Sequence, residues 1–207
     1  MELIRVHFSS LAFNCNHAQD VNMKADINFS STLRGHELNF CSTWGLFSPK
    51  EIDEGTRLLV EEIEVKPGDS ILDLGCGYGP LGIALGLETS GAVHMVDKDF
   101  VAVEYAEENA RLNGLKNTKV YLSNGLSHVP TDVKFDLIVS NLPAKPGKEL
   151  YEKMLDDCLT RLKPGGRVYF VTIAGLREYI KRTFKEKFGN YKKLKEAKGY
   201  TCALAIR

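Results

Sequence analysis

The sequence lacks an excess of charge of either sign, because its 207 residues include 27 Lys and Arg against 27 Asp and Glu. A formal net charge of zero excludes a long-range field that would draw the whole molecule onto a nucleic acid. Any contact with a polyanion is therefore expected to come from a local basic patch.

Closely spaced cysteines are also missing. The five cysteines are scattered along the chain and never form a C-x-x-C pair: Cys15, Cys41, Cys76, Cys158 and Cys202. Such a pattern is typical neither of a disulfide framework nor of a zinc site, so we expect a protein without a metal in the reducing cytoplasm.

Long apolar runs are absent as well. The opening MELIRVHFSSLAFNCNH has no apolar run behind a basic start, which predicts no signal peptide. No segment approaches the length of about 18 apolar residues that a membrane span needs. We therefore expect no membrane contact.

The sequence does contain short apolar runs that alternate with helical periodicity from about residue 67 onward. Runs such as SILDLG, AVHMVD and FDLIVSN are separated by amphipathic segments, a pattern that predicts an α/β doubly wound, mostly parallel sheet. Gly165 and Gly166 are expected to end one helix and lead into the run at 167–173. The last segment has two strand-like runs that meet at Gly199, which predicts a C-terminal antiparallel hairpin.

The first part of the chain has a different composition, mixing Ser and Asn with alternating pieces such as KADINF and ELNFCSTW. We interpret residues 1–46 as a small N-terminal β extension or lid, ahead of a main domain of residues 47–207. Just inside that domain, Asp53 is placed to cap a helix with Leu58, Leu59 and Ile63 on one face.

The stretch ILDLGCGYGPLG, residues 71–82, indicates a strand, a glycine turn and a helix. Glycines at 75, 77 and 79 bring bare backbone against a ligand, which favours a nucleotide-type pocket. Pro80 stands where a dinucleotide fingerprint needs glycine, and Asp73 beneath the turn suits a cationic ammonium better than a pyrophosphate. A nicotinamide-dependent dehydrogenase is therefore disfavoured, and a turn that needs glycine only for packing remains the alternative.

Two more polar residues follow later strands. Asp97 ends the run AVHMVD, where a carboxylate can accept from both ribose hydroxyls, and Asn124 follows the next strand, where its amide can meet the edge of an adenine. With Asp73 and the glycines, these residues resemble class I S-adenosylmethionine-dependent methyltransferases, whose first motif is similar to DLGCGYG.

The resemblance implies a Rossmann-like fold with seven strands and S-adenosylmethionine as the cofactor. It places the following residues in the cofactor site: Asp73, Gly75, Cys76, Gly77, Tyr78, Gly79, Asp97, Lys98, Asn124, Gly125 and Asn141.

The segment NLPAKPGKE ends the fourth strand, FDLIVS, at the rim where doubly wound sheets bind ligands. It resembles the Asn/Asp-Pro-Pro-aromatic motif of methyltransferases that act on exocyclic amines or amides. The resemblance implies a catalytic set of Asn141, Leu142 and Pro143. The Asn141 oxygen and the Leu142 carbonyl would accept hydrogen bonds from the two N–H groups of the target amine. Pro143 would fix the direction of the Leu142 carbonyl.

The segment departs from the motif at two positions. Leu142 replaces the first proline, and Ala144 replaces the aromatic residue that would stack on a base. Either Phe47 or Trp44 supplies the missing aromatic face, or the substrate is not a flat base. A structural alternative is that asparagine and proline only terminate the strand.

The wider pattern, GLFSPKEIDEGTRLLVEEI before the glycine turn and NLPAKPGKE after the fourth strand, resembles ribosomal small-subunit RNA guanine-N2 methyltransferases over about residues 40–207. The resemblance implies that the segment with Asp53 and Gly55 covers the cofactor and target. It assigns substrate binding to Phe47, Thr56, Ala144, Lys145 and Lys148.

We therefore expect an N-methyltransferase that acts on the N2 amine of a guanine in ribosomal or other structured RNA. Alternatives that keep the same acceptors are a protein glutamine amide and an adenine amine, and a third is a cofactor-binding module without catalysis. RNA phosphates are expected to meet Lys145, Lys148 and the basic tail between Arg177 and Lys198, although such a charged face is often only solvated.

Overall fold

The computed structural model of the protein describes residues 26–143 and 147–207. The strands are β1 (Ile27–Leu33), β2 (His36–Ser42), β3 (Ile71–Leu74), β4 (Val93–Asp97), β5 (Thr118–Leu122), β6 (Phe135–Asn141), β7 (Leu162–Ile173), β8 (Lys192–Ala197) and β9 (Tyr200–Ile206). The α-helices are α1 (Glu54–Glu62), α2 (Pro80–Gly86), α3 (Phe100–Leu112), α4 (Lys148–Arg161) and α5 (Arg177–Phe188), and a single 3₁₀ turn covers Ala174–Leu176.

The main sheet has seven strands in the order β5-β4-β3-β6-β7-β9-β8. Its first five strands are parallel, and β9 pairs antiparallel with both β7 and β8. The predicted mostly parallel α/β sheet with a C-terminal hairpin is therefore confirmed. Lys198 and Gly199 form the hairpin turn with φ values of 51° and 81°, the left-handed geometry that two-residue hairpin loops require.

Apolar side chains cover both faces of this sheet, since consecutive residues of each strand point to opposite sides. In β3, Ile71 belongs to the core beneath α1, α2 and α3, whereas Leu72 belongs to the core beneath α4 and α5. Burial on both sides explains the nearly continuous apolar runs of the parallel strands.

Strands β1 and β2 form a separate antiparallel hairpin. Its residues Leu33, Leu38 and Phe40 are buried in the same core as helices α1 to α3. The strand-like pieces at residues 24–29 and 37–44 are confirmed in part by this hairpin. The alternating piece ELIRVHF at residues 2–8, which also predicts a short strand, lies outside the described residues. The boundary at residue 46 stays a prediction.

The predicted role of Gly165 and Gly166 as a helix end is wrong. Helix α4 already ends at Arg161, and both glycines lie within β7. The β6–β7 register shifts between Phe135 and Leu137, so the extra residues of β7 form a bulge. Gly165 has a φ of 76°, and a Cβ at Gly166 would lie 2.8 Å from the Lys163 carbonyl oxygen. The glycines are needed for this bulge rather than for capping.

Three cysteines, Cys76, Cys158 and Cys202, are free and buried, whereas Cys41 is disulfide-bonded, which the scattered pattern did not predict. Within the part of the chain that the structure describes, no helix is long and apolar enough to span a membrane. The cytoplasmic location stays a prediction.

Candidate active site

The candidate site lies where β3 and β6 meet. After β3 the chain adds β4 and β5 toward one edge of the sheet, and after β6 it adds β7 and the hairpin toward the other edge. Ligands of doubly wound sheets bind at the carboxyl ends of such strands. Asp73 pairs with Val139, so continuing the register places Gly75 opposite Asn141. The Ser140 hydroxyl donates to the Leu74 carbonyl at 2.6 Å and ties the two strand ends together.

The glycine turn leaves an open space above its backbone. Gly75 and Gly77 have φ values of 74° and 57°, and a Cβ built at either position meets no heavy atom within 4 Å. The turn is held from below, because the N–H groups of Gly75 and Cys76 donate to the Val96 carbonyl at 2.8 and 2.9 Å. The open side is therefore available to a ligand that approaches bare backbone.

Asp73 lies fully buried beneath this turn. Its Oδ2 accepts from the Gly82 N–H at 2.8 Å, while its Oδ1 has no hydrogen-bond partner within residues 26–143 and 147–207. Burial raises the pKa of Asp73 to about 7, the Gly82 bond opposes this rise, and the Asp97 charge adds to it. A buried carboxylate oxygen without a donor fits an ammonium group bound directly or through water.

Asp97 ends β4 and supports the turn from the other side. Its Oδ2 accepts from the Gly77 N–H at 2.8 Å and its Oδ1 from the Asp99 N–H at 3.0 Å. A carboxylate has about four lone-pair sites, so these two bonds leave capacity for ribose hydroxyls. Lys98 follows as an exposed side chain.

Asn124 and Gly125 follow β5 at the same edge of the sheet. Asn124 is exposed, and Gly125 has a φ of 59° with its carbonyl accepting from the Ser123 hydroxyl at 2.8 Å. Their place agrees with the predicted adenine contact, which stays a prediction.

Tyr78, whose predicted place in the cofactor site stays a prediction, anchors a neighbouring loop through its side chain. Its ring is buried at centroid distances of 6.1 Å from Phe29 and 5.8 Å from Phe40. Its hydroxyl donates to the carbonyls of Ser48 at 3.1 Å and Glu51 at 3.2 Å, and burial raises its pKa, so it stays a donor. The Tyr78 side chain therefore fastens the loop before α1 to the glycine turn.

Asn109 of α3, which the sequence pattern does not predict as part of the site, is fully buried. Its Nδ2 donates to the carbonyls of Tyr78 and Cys41, each at 2.9 Å, and its Oδ1 accepts from the Cys41 N–H at 2.7 Å. This amide joins the N-terminal hairpin to the glycine turn. Its only sequence signal is a polar residue on the apolar face of α3.

Two aromatic side chains lie on the loop that Tyr78 fastens. Phe47 is 68 % exposed and Trp44 is 47 % exposed, with the Lys50 ammonium 4.4 Å from the Trp44 ring centroid. A large exposed aromatic ring on a fastened loop suits stacking against a ligand.

Asn141 is the residue that links the strand rim to α1. Its Nδ2 donates to Asp53 Oδ2 at 2.8 Å and to Thr56 Oγ1 at 2.9 Å. Asp53 also caps α1 as predicted, accepting from the Thr56 N–H at 3.1 Å. Both amide hydrogens of Asn141 are thus occupied, and no described residue donates to its Oδ1. That oxygen is left to accept a hydrogen bond from a ligand.

Leu142 and Pro143 continue the rim. The Leu142 N–H donates to the Val171 carbonyl at 3.0 Å, a bond that a proline at 142 would lack, and its side chain is buried. No described residue donates to the Leu142 carbonyl. The Pro143 carbonyl accepts from the buried Tyr151 hydroxyl. The strand end is therefore held on both sides without the first proline of the motif.

The remaining predicted substrate residues are only partly described. Thr56 is 6 % exposed, so it can act through Asn141 rather than by broad contact with a ligand. Ala144 and Lys145 lie outside the described residues. Lys148 begins α4.

The basic tail is largely paired with carboxylates. Of its nine Lys and Arg residues, seven form ion pairs: Arg177 with Glu178 and Glu196, Lys181 with Glu178, Arg182 with Glu186, Lys187 with Asp156, Lys193 with Glu196, Lys195 with Glu62 and Lys198 with Glu54. Exposed pairs of this kind are weak and can exchange for phosphates. RNA contact by the tail stays a prediction.

The comparison with known protein families agrees with this geometry. The family of the methyltransferase small domain matches residues 37–203, which cover the glycine turn, Asp97 and the Asn141 rim. The chain belongs to this methyltransferase small-domain family. Its cofactor is therefore S-adenosylmethionine, which the open glycine turn and the unpaired Asp73 oxygen fit.

Three relatives illustrate the similarity. An uncharacterized Bacillus subtilis protein, YbxB, is 40 % identical over 147 residues, covering 69 % of this chain and 72 % of the relative. Ribosomal RNA large subunit methyltransferase G of Shewanella amazonensis is 32 % identical over 76 % of this chain and 42 % of its own. The solved structure of the T. thermophilus 16S rRNA N2-guanine methyltransferase, in complex with AdoMet and guanosine, is 28 % identical with a TM-score of 0.81, covering 89 % of this chain and 51 % of that one.

The chain thus spans about half or less of the length of the two rRNA methyltransferases. Within residues 26–143 and 147–207, no three His, Cys, Asp or Glu side chains group in a way that could hold a metal ion.

Proposed function

We propose that this methyltransferase transfers a methyl group to the exocyclic N2 amine of a guanine in ribosomal RNA. The observation that carries the proposal is the orientation of the Asn141 amide, whose two N–H groups donate hydrogen bonds to Asp53 and Thr56. The remaining Oδ1 is an acceptor, so it suits a hydrogen-bond donor of the ligand, and an exocyclic amine is such a donor.

The reaction needs placement more than acid–base chemistry. The lone pair of an exocyclic amine is spread into the base, so the nitrogen is a weak nucleophile. Asn141 Oδ1 and the Leu142 carbonyl would accept hydrogen bonds from the two N–H groups of the amine. These bonds would localise the nitrogen lone pair away from the ring. S-adenosylmethionine, when bound, supplies an electrophilic methyl group. The Asn141 and Leu142 acceptors would place the nitrogen for in-line attack, at the distance of about 3 to 3.5 Å that such reactions need. The new N–CH3 bond would replace the S–CH3 bond, S-adenosylhomocysteine would leave, and water would take the proton that the nitrogen loses.

The aromatic residue missing at position 144 has a candidate replacement in Phe47. Its exposed ring lies on the loop that Tyr78 fastens to the glycine turn. Stacking of a base on an aromatic ring contributes about 1 to 3 kcal/mol. Phe47 can therefore supply the flat face that a guanine needs, and Lys145, Lys148 and the tail can supply phosphate contacts.

The relatives support RNA as the substrate. The Shewanella relative acts on large-subunit rRNA, and the Thermus enzyme acts on N2 of a 16S rRNA guanine. Because these relatives modify different subunits, the proposal does not commit to one of them.

The test is mass mapping of modified nucleotides in rRNA from a strain without this gene, followed by methylation of that rRNA with the purified protein. We expect a missing N2-methylguanine that the wild-type protein restores. Phe47→Ala should raise the KM for rRNA about tenfold with an unchanged affinity for S-adenosylhomocysteine. Trp44→Ala tests the other candidate ring, and a rise in the KM for rRNA in Trp44→Ala but not in Phe47→Ala would assign the stacking to Trp44.

Other outcomes would redirect the proposal. Labelling of an adenine amine or of a protein glutamine amide would keep the acceptors but reject guanine. Binding of S-adenosylhomocysteine without methylation of any fraction of the extract would favour a non-catalytic module.

A further inference from the structure

We propose that Asp53 and Tyr200 are positioning residues that lock the Asn141 amide in one orientation, with its oxygen toward the acceptor nitrogen. The inference rests on the proposed function only for the identity of that nitrogen. The contacts that carry it lie entirely within the chain.

Asp53 is the residue that can distinguish the two ends of the Asn141 amide. Its carboxylate offers only acceptors, so Nδ2 and not Oδ1 of Asn141 must face Asp53 Oδ2 at 2.8 Å. Rotating the amide by half a turn would bring two oxygens together. Thr56 cannot make this distinction, because a hydroxyl can either donate or accept.

Tyr200 holds Asp53 from the opposite side. Its hydroxyl donates to Asp53 Oδ1 at 3.1 Å, although the two residues lie 147 positions apart in the sequence. Burial raises the pKa of Tyr200, and the Asp53 charge raises it further, so the hydroxyl stays protonated as a donor. The Asp53 carboxylate is therefore fixed by Tyr200, by the Thr56 N–H and by Asn141.

Gly55 makes this contact possible. A Cβ at this position would lie 2.8 Å from the Tyr200 ring and 2.9 Å from Asp53 Oδ2, closer than real Cβ atoms approach. The absence of a side chain lets the ring lie against the first turn of α1. Since Tyr200 opens β9, the C-terminal hairpin contributes directly to the acceptor site.

The consequence is a site that presents an acceptor and never a donor at the Asn141 position. An amide free to rotate would offer N–H groups to the ligand for part of the time. Those N–H groups would repel the amine that the site has to hold. The locked amide thus favours an N–H donor as the ligand group.

A donor–acceptor exchange tests the lock. Asn141→Asp would set two carboxylates against each other and should lower kcat about 100-fold, and Asp53→Asn should lower it about tenfold. The double variant D53N/N141D again pairs an amide N–H with a carboxylate and leaves one oxygen for the ligand. We expect its kcat to exceed that of Asn141→Asp by about tenfold. If the losses of the single variants simply multiply in the double variant, the proposal is wrong.

Tyr200→Phe provides a milder test because it removes only the hydroxyl. We expect kcat to fall about tenfold with an unchanged KM for S-adenosylmethionine, and Gly55→Ala to act in the same way. Tyr191→Phe is the matched control, since no described residue accepts from or donates to the Tyr191 hydroxyl. Glu54→Gln controls for loss of a neighbouring carboxylate, because Glu54 pairs with Lys198 and not with Asn141.

Side-chain NMR supplies a readout that needs no substrate. In the wild type, the two Asn141 amide hydrogens should exchange slowly with water, and exchange should accelerate about tenfold in Asp53→Asn and Tyr200→Phe but not in Glu54→Gln. Fast exchange in the wild type would overturn the inference. An absence of rRNA methylation by a wild type with slow exchange would instead reject the proposed function and leave the lock intact.

Discussion

The two halves of the candidate site differ in the sequence distance over which they are assembled. In the cofactor half, the two carboxylates make short-range contacts, Asp73 with Gly82 nine residues away and Asp97 with Gly77 twenty residues away. The acceptor half joins Asn141 to residues 85 and 88 positions away, with a further contact of 147 positions. The first half depends on two neighbouring strand–helix units, whereas the second depends on closure of the whole sheet. Substitutions should therefore separate cofactor binding from transfer.

The largest expected effect lies in the acceptor half. Asn141→Ala removes the Oδ1 acceptor and should lower kcat for rRNA methylation about 100-fold or more, because a misplaced nucleophile loses the in-line geometry. Although the sequence pattern also places Asn141 in the cofactor site, its free Oδ1 is proposed to contact the acceptor amine, so the affinity for S-adenosylhomocysteine, measured by calorimetry, should stay within about threefold of the wild type. Asn190→Ala is the control, since among the described residues its amide bonds to the backbone of Phe188 and Ile206 and not to the site. A parallel loss of cofactor affinity in Asn141→Ala would mean that the halves are not separable.

The next effect lies in the cofactor half. Asp97→Ala leaves the Gly77 and Asp99 N–H groups without their acceptor and removes the proposed ribose contact. Such losses are worth about 1 to 3 kcal/mol, so the Kd for S-adenosylhomocysteine should rise about 5- to 150-fold.

A milder variant and a second ligand sharpen this test. Asp97→Asn keeps one acceptor and should give an intermediate Kd, and NAD should not bind the wild type. An Asp97→Ala protein with wild-type cofactor affinity would remove Asp97 from the site.

The fold could largely be predicted from the sequence because most of its elements depend on residues that are close together in the chain. Each parallel strand is buried on both faces, so its apolar run is visible without knowledge of its neighbours. The start of α1 at its Asp53 cap and the start of α2 at Pro80 were equally local. The bulge at Gly165 and Gly166 was not, because its need for glycine arises from the register of β6 against β7.

The site also has one part that local sequence patterns predict and one part that they do not. Asp73, Asp97 and the glycines form a compact pattern whose chemistry can be inferred from residue type and order. Nothing near Tyr200 in the sequence indicates a partner at Asp53. Nothing near Tyr78 indicates that its hydroxyl bonds to the loop before α1 while its ring packs on the N-terminal hairpin. Long-range contacts of this kind have no local signal.

A third prediction concerns protonation in the cofactor half. The raised pKa of Asp73, about 7, means that much of the ligand-free protein carries a neutral carboxyl below that pH. An ammonium ligand favours the charged form, so affinity for S-adenosylhomocysteine should rise about tenfold per pH unit up to pH 7 and then level off. Calorimetry in two buffers of different ionisation enthalpy should detect proton release at pH 6.

Asp73→Asn provides the control for this pH dependence. It removes the titrating group, so its weaker affinity should vary little between about pH 5.5 and 7.5. The same slope in both proteins would assign the pH dependence to another group.

The smallest expected effect on the rate tests the departure from the motif at Leu142. Leu142→Pro restores the proline and keeps the carbonyl, but it removes the N–H bond to the Val171 carbonyl and most of a buried side chain. The free energy of unfolding should fall by about 2 kcal/mol, measured by denaturant titration. The kcat should stay within about threefold of the wild type.

Leu142→Ala separates the two causes, since it loses the side chain but keeps the N–H. If Leu142→Pro loses more stability than Leu142→Ala, the backbone bond to Val171 compensates for the missing proline by fixing the strand end. A kcat as low as that of Asn141→Ala would contradict this account, because the carbonyl alone would then not suffice at this position. The direction of the Leu142 carbonyl toward the acceptor nitrogen would instead depend on the conformation of the leucine.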